Sequence, residues 1–209
     1  LADKIFHSSP LLKTEMLNRG KPSANANAAL NLLLKHMVKF SNEPKLAIQG
    51  FPAEGGLYRI LLENTDIHKS VNQSFSFVAP DSNNHNLEIL WETTDNFLRN
   101  IDHNVMLSNI YNLWSLPPLG IKKGLYVFLM ATYLLTRKSE VAVYLNGKYF
   151  PELNDLFIDY LIKETSNIEV RFIQNNLSQK RVLTTLVNVL EKFNLWDNYS
   201  SNSPLEISR

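Results

Sequence analysis

The sequence predicts an α+β fold that is predominantly helical, with winged-helix-like units, a small β-hairpin and a central buried helix over residues 121–138. Three observations lead to this prediction. Apolar residues recur at helical spacing along much of the chain, Asn146-Gly147 separates two short apolar runs, and residues 125–135 are apolar on every side. The order of short helix, stiff turn, helix and hairpin is the one expected of a winged helix.

The N-terminal third of the chain predicts three helices. Residues 10–19 carry leucine and methionine at helical spacing before Gly20 and Pro22 interrupt the pattern. Ser23 is a favourable N-cap for a second helix that runs to Phe40 on alanine and leucine propensity. The turn FPAEGG then leads into a third helix, whose apolar side comprises Leu57, Ile60, Leu61 and Leu62.

The remainder of the chain begins with a break in the helical pattern. Residues 72–78 alternate as a short strand does, and residues 79–86 have the composition of a loop. We therefore predict an N-terminal helical, helix-turn-helix-like part (1–70), a linker (71–86) and a winged-helix-like part with a C-terminal helix (87–209). The predicted elements of this last part are helices over 87–101, 107–114, 152–164 and 178–196 and a strand over 168–173.

Composition limits the classes of protein to which this chain can belong. Its 209 residues are 44% hydrophobic and 20% charged, with a formal net charge of +1, which is typical of a globular chain with one or two compact units. Such a balance gives no strong non-specific attraction to nucleic acid or to an acidic membrane. The absence of cysteine excludes disulfides and thiolate chemistry. We expect a cytoplasmic location, no signal peptide, and origin as a piece of a larger protein.

The segment PPLGIKKG, residues 117–124, invites comparison with a phosphate-binding loop. Such a loop requires a lysine and a hydroxyl residue directly after its last glycine, whereas Leu125 follows Gly124 here. The apolar run after it is about half the length of the roughly twenty residues that span a bilayer. We therefore interpret residues 121–138 as a buried helix and predict neither a cofactor site nor a membrane segment.

Catalytic and metal-binding patterns are weak in this sequence. The five histidines are far apart and show no ligand spacing, so we predict no metal site. Glu88, Glu92 and Asp95 share one face of a predicted helix, which is more typical of a solvated surface than of paired catalytic acids. A hydrolase that uses such carboxylates in a cleft between the two parts is retained only as an alternative.

A polar stripe on the second predicted helix is the main candidate for binding. Asn27, Asn31 and Lys35 recur every four residues and share one face. Asparagine can pair with adenine and lysine can contact phosphate, so the stripe predicts contact with double-stranded DNA, although a solvated surface helix would show the same pattern. The full set of predicted nucleic-acid-binding residues is Arg19, Lys21, Asn27, Asn31, Lys35, Lys39 and Lys148.

Three segments also resemble a known family: residues 8–37, residues 50–62 and residues 113–153, which run from LWSLPPLGIKKG to YFPEL. Together they are similar to a region of very large bacterial P-loop ATPases from phage-defence and restriction-type gene clusters of the BREX-like kind. The resemblance implies an accessory region whose nucleotide site lies elsewhere in the full protein. No catalytic residue carries over, because this chain lacks a Walker sequence.

The function predicted from these features is a non-catalytic, DNA-binding or assembly region of a larger ATP-dependent defence protein. Its partners would be double-stranded DNA or other domains and subunits of the assembly. The alternative is a protein-interaction scaffold without nucleic-acid contact, which the near-neutral charge favours.

Overall fold

The computed structural model describes residues 5–12, 14, 17, 22–81 and 86–173, and it has a mixed α+β fold with two small antiparallel sheets. The predicted helix over 178–196 lies outside the described residues, as do Arg19 and Lys21. The helices are α1 (Ala24–Lys39), α2 (Ala53–Tyr58), α3 (Leu87–Arg99), α4 (Leu107–Ser115), α5 (Tyr126–Thr136) and α6 (Asp155–Lys163). The strands are β1 (His68–Val71), β2 (Ser74–Phe77), β3 (Val105–Met106), β4 (Val141–Leu145), β5 (Lys148–Phe150) and β6 (Ile168–Phe172).

Helix α1 begins where the sequence predicts. The side chain of Ser23 accepts a hydrogen bond from the backbone N–H of Ala26 at 3.2 Å, which satisfies one of the free donors of the first turn. One face of the helix, including Leu33, Leu34 and Met37, is fully buried. This burial orients the opposite faces of α1 and so determines where its polar stripe lies.

The helix predicted over residues 10–19 is wrong at the residues that the structure describes. Residues 10–12 and Thr14 have no regular secondary structure, and the N–H of Thr14 donates to the carbonyl of Leu12, a bond that spans only two residues. Leu12 and Leu17 are nevertheless buried. These two leucines pack onto the core without a helix at the described residues, whereas Leu11 is exposed.

Helix α5 is the central buried helix that the sequence predicts, although it is shorter than residues 121–138. A 3₁₀ turn over Lys123–Leu125 leads into it, and all of its side chains except those of Val127 and Thr136 are buried. A helix covered on every side is apolar all round, which explains the continuous apolar run in the sequence.

The predicted Asn146-Gly147 hairpin is confirmed. Both residues have positive φ, 51° and 73°, and Leu145 pairs with Lys148 across the turn. Strand β6 pairs with the other edge of β4, and β3 pairs with β6, so the sheet order is β3-β6-β4-β5. The hairpin is therefore the edge of a larger sheet, and a winged-helix unit stays a prediction.

A second hairpin precedes α3. Strands β1 and β2 pair through a turn in which Asn72 and Gln73 have positive φ, so residues 74–77 of the predicted linker belong to a sheet. Buried side chains that precede and follow this hairpin in the sequence, among them Leu33 of α1 and Phe128 of α5, form one hydrophobic cluster. The division into domains at residues 71–86 stays a prediction, and the core is continuous across it.

Candidate functional site

The polar stripe of α1 is only partly open to solvent, because α6 packs against α1. Helix α1 packs on α6, and the ammonium of Lys35 contacts the carboxylate of Asp159 at 3.1 Å. Asn27 is exposed, Asn31 is half-buried and Lys35 is half-buried. This packing gives Lys35 a partner within the chain, and contact of the stripe with DNA stays a prediction.

The other predicted nucleic-acid-binding residues do not join this stripe. Lys39 is exposed at the end of α1, where its ammonium lies 5.4 Å from the centre of the Phe40 ring. Lys148 is exposed at the start of β5. Their roles in binding nucleic acid stay predictions, as do those of Arg19 and Lys21, which lie outside the described residues.

A groove opens at the N-terminal end of the stripe, and we call it the Asn31 groove. Its volume is about 510 Å³, within the range of roughly 300–1,000 Å³ that ligand-binding pockets occupy. Three segments form it: the first half of α1, the turn before α5, and the end of α6. The described residues that line it are Pro22, Asn27, Ala28, Leu30, Asn31, Lys123, Gly124, Val127 and Ile162.

Two polar groups of the Asn31 groove have no partner among the described residues. The side-chain oxygen of Asn31 is buried and has no hydrogen-bond partner. Among the described residues, Lys123 forms no ion pair, although it is exposed at the rim. A buried carbonyl oxygen without a donor costs roughly 1–3 kcal/mol, whereas the exposed Lys123 is open to a ligand.

The turn that carries Lys123 is held rigidly in place. The N–H of Ile121 donates to the carbonyl of Trp114 at 2.8 Å, and the N–H of Leu125 donates to that of Lys122 at 2.9 Å. Ile121 and Leu125 are buried, which anchors both ends of the turn. The sequence shows the stripe and this turn as two unrelated features about 90 residues apart, and only their packing brings Lys123 and Asn31 into the lining of one groove.

Two other grooves differ from the Asn31 groove in their charge. The groove at the opposite end of the stripe, about 670 Å³ in volume, is lined by Lys39 and Lys138 but also by Glu152 and Asp155. The groove next to α2, about 530 Å³, has the side chains of Lys45, Arg59 and Glu63 in its lining. Both contain cations and carboxylates, whereas no acidic residue is among those described in the lining of the Asn31 groove.

The solvated face predicted for Glu88, Glu92 and Asp95 on α3 is wrong at Asp95, which forms structural contacts. Asp95 is buried and accepts bonds from Arg137, at 2.7 Å from Nη2 and 3.2 Å from Nε, and from the hydroxyl of Tyr133 at 2.7 Å. Burial and the neighbouring Asp95 raise the pKa of Tyr133, so it stays protonated and donates. These bonds fasten α3 to α5. Glu92, by contrast, is exposed.

Metal ligands do not converge in the described part of the chain, where no group of three or more histidine, aspartate or glutamate side chains could hold an ion. Within that same part, every helix is too short or too polar to cross a bilayer.

Comparison with protein-family models, with curated proteins and with solved structures finds no match to this chain.

Proposed function

We propose that this chain is a non-catalytic assembly region of a larger ATP-dependent protein of the phage-defence or restriction type, and that the Asn31 groove holds a segment of a partner domain or subunit. The observation that carries the proposal is the groove itself, where Lys123 is exposed beside aliphatic side chains and forms no ion pair with any described residue. Such a mixture of apolar surface and a few fixed polar groups is typical of a binding site. The larger context rests on the family resemblance of residues 8–37, 50–62 and 113–153.

Duplex DNA is the second candidate partner. The exposure of Asn27, Lys39 and Lys148 favours it, because these side chains are free to reach phosphates. The ion pair of Lys35 with Asp159 counts against it, since the last residue of the predicted stripe already has a partner within the chain. Assembly is therefore the stronger of the two functions.

The order of α4, turn, α5 and the β4–β5 hairpin supports a winged-helix-like unit that serves for packing. In a DNA-reading unit the second helix needs a polar face for base edges and phosphates. Here α5 is buried almost all round. We infer that this unit supports the groove, because it positions the Lys123 turn, and that it does not itself read DNA.

The proposal is tested in the full-length protein by a charge reversal at the groove. We expect Lys123→Glu to weaken the assembly roughly tenfold or more, because it replaces a charge-assisted contact with repulsion. Hydrolysis of ATP by the isolated protein should be unchanged. Light scattering after size-exclusion chromatography measures the assembly, and a phosphate-release assay measures hydrolysis.

Lys148→Glu is the matched control, because it reverses an exposed lysine outside the groove. An assembly that is unchanged by Lys123→Glu would contradict the proposal. Titration of the 209-residue chain with duplex DNA at two salt concentrations tests the second candidate. DNA would be established as the partner instead by two results together. Binding would be salt-sensitive and abolished by the double substitution Lys39→Glu and Lys148→Glu, and Lys123→Glu would leave it unchanged.

A further inference from the structure

Phe51, in the turn before α2, is the most exposed large apolar side chain of the described residues, at 97%. An aromatic ring in water carries a large apolar area that contact with another molecule would bury. Single exposed apolar residues are common on protein surfaces and need no explanation by themselves. Phe51 differs from them because the turn before it is held in place and because a groove lies directly beside it.

The turn before Phe51 is held in one conformation. The N–H of Ile48 donates to the carbonyl of Lys45 at 3.1 Å, and the side chain of Leu46 is fully buried. Lys45, Leu46 and Ala47 all have positive φ, between 51° and 55°. Non-glycine residues keep this backbone conformation only where the surrounding structure imposes it. A fixed turn therefore presents the ring of Phe51 to solvent.

The groove beside Phe51, which we call the α2 groove, has a volume of about 530 Å³. Ile48, Pro52 and Gly56 are among the residues that line it. A methyl group added at Gly56 would meet no atom within 4 Å, so packing within the chain does not require a glycine there. Glycine is also less favourable than alanine within a helix. The open space above Gly56 can admit a ring from another molecule.

Unpaired charges of both signs flank Phe51. Lys45 is exposed and lines the α2 groove, and Glu54 is half-buried in the first turn of α2. Neither side chain forms an ion pair with a described residue. Nucleic acid or an anionic membrane would be attracted by Lys45 but repelled by Glu54. A surface that bears both a cation and a carboxylate is complementary in charge to a copy of itself.

The patch around Phe51 thus contains both members of two complementary pairs, an aromatic side chain with a groove and a cation with a carboxylate. In two chains related by a two-fold axis, the same patch on each chain meets its counterpart, so each feature can contact its opposite. An unrelated partner would require only one member of each pair. The presence of both members favours a second copy of this chain as the partner.

We infer that two copies of this chain associate through α2 and the turn before it. The Phe51 ring of each copy enters the α2 groove of the other and packs over Gly56, and Lys45 of each copy pairs with Glu54 of the other. This contact uses residues outside the Asn31 groove, so the inference goes beyond the proposed function. An interface with one aromatic anchor on each chain is small, and we expect a dissociation constant of roughly 1–100 μM.

Sedimentation equilibrium of the 209-residue chain, from about 1 μM to about 500 μM, measures the association. Phe51→Ala should weaken it roughly tenfold or more, because the anchor is lost. The thermal unfolding of the dilute, monomeric variant should match that of the parent, since the ring lies in water in the single chain. Leu156→Ala shortens an exposed side chain of α6 and is the matched control, which should associate like the parent.

Gly56→Leu tests the groove without removing the ring of Phe51. The leucine side chain would occupy the space above the helix and should weaken association roughly tenfold or more. Because leucine favours a helix more than glycine does, the variant should unfold at the same temperature as the parent or at a higher one. Weaker association without loss of stability would therefore reflect the blocked groove and not a damaged fold.

Charge reversal tests whether Lys45 and Glu54 meet across the two chains. Lys45→Glu and Glu54→Lys should each weaken self-association roughly tenfold, because each variant places like charges together in both contacts. An equimolar mixture of the two variants should associate like the parent, since every contact then joins opposite charges. Mixing cannot restore association if these two residues meet only within one chain.

Three results would overturn the inference. The first is a chain that stays monomeric at the highest concentration, and the second is a dimer that Phe51→Ala and Gly56→Leu leave intact. The third is a mixture of the charge variants that associates no better than either variant alone. Binding of the monomer through Phe51 to a single strand of thymidylate, or to vesicles of phosphatidylglycerol, would also overturn it. Lys123→Glu should leave self-association unchanged, which separates this contact from the Asn31 groove.

Discussion

Tyr111 buries its hydroxyl oxygen without a hydrogen-bond partner, while its ring stacks on that of Tyr126 with the ring centres 4.7 Å apart. Burial raises the pKa of Tyr111, so the hydroxyl is neutral and desolvated. The ring therefore contributes packing, and the hydroxyl costs free energy.

We predict that Tyr111→Phe raises the free energy of unfolding by about 1 kcal/mol, because it removes an unsatisfied polar group and keeps the stacked ring. Urea unfolding followed by circular dichroism measures the change. Tyr133→Phe is the matched control and should lower stability, since its hydroxyl donates to Asp95 at 2.7 Å. A loss of stability in Tyr111→Phe would show that its hydroxyl has a partner in solution.

Only some residues of the candidate site could be predicted from the sequence. Periodicity alone placed Asn27 and Asn31 on one face of a helix, and both line the groove. The place of Lys123 in the lining of the same groove could not be predicted in this way, because it depends on contacts between segments distant in sequence. Local patterns carry no information about such contacts.

His68, at the start of β1, connects the β1–β2 hairpin to Ser41, after α1, and to Tyr58 of α2. Its Nε2 lies 2.9 Å from the carbonyl of Ser41 and its Nδ1 lies 3.1 Å from the hydroxyl of Tyr58. The neutral imidazole fits both contacts if Nε2–H donates to Ser41 and Nδ1 accepts from Tyr58. Phe75 and Phe77 of β2 pack against the ring. Burial lowers the pKa of His68, and the bond to Ser41 partly opposes this.

We predict that acid weakens the fold through His68. Between its lowered pKa and the ordinary value of about 6.5, the unfolded chain binds more protons than the folded chain, so stability falls as the pH falls through this window. Urea unfolding at a series of pH values measures the slope, which His68→Gln should reduce. His103→Gln, which removes an exposed histidine, is the control. An unchanged slope in His68→Gln would refute the assignment.

In the same hairpin, one strand was predicted from the sequence and the other was not. Strand β2 alternates serine and phenylalanine and was predicted from that pattern. Strand β1 contributes only one buried side chain, that of a histidine, and was missed. The Asn146-Gly147 turn was predicted because its residues tolerate positive φ. Asn72 and Gln73 adopt positive φ as well, but glutamine is not a residue that signals such a turn.

At the scale of the whole molecule, most of the buried apolar side chains of residues 22–70 and 87–173 belong to one cluster. Helix α1 contacts both α5 and α6 across the predicted linker. Packing of this extent couples the unfolding of the two parts, because neither can expose its apolar face without exposing that of the other.

We therefore predict one cooperative unfolding transition. Tryptophan fluorescence, to which the buried Trp91 and Trp114 contribute, and far-ultraviolet circular dichroism should give the same midpoint in urea. Amide hydrogen exchange should protect α1 and α5 to a similar free energy. If the amides of α1 opened at a clearly lower urea concentration, the molecule would instead consist of two units divided near residues 71–86.

The sequence by itself determined the α+β class, the extent of α1, the buried helix α5 and the turn at Asn146-Gly147. Each of these follows from local physics: capping, helical periodicity, apolar run length and the φ preference of turn residues. Only the tertiary structure decided that the polar stripe of α1 packs on α6 and that Lys123 and Asn31 line one groove. Those facts depend on how distant segments share one core, and this moved the proposed function from DNA reading towards the binding of a partner segment.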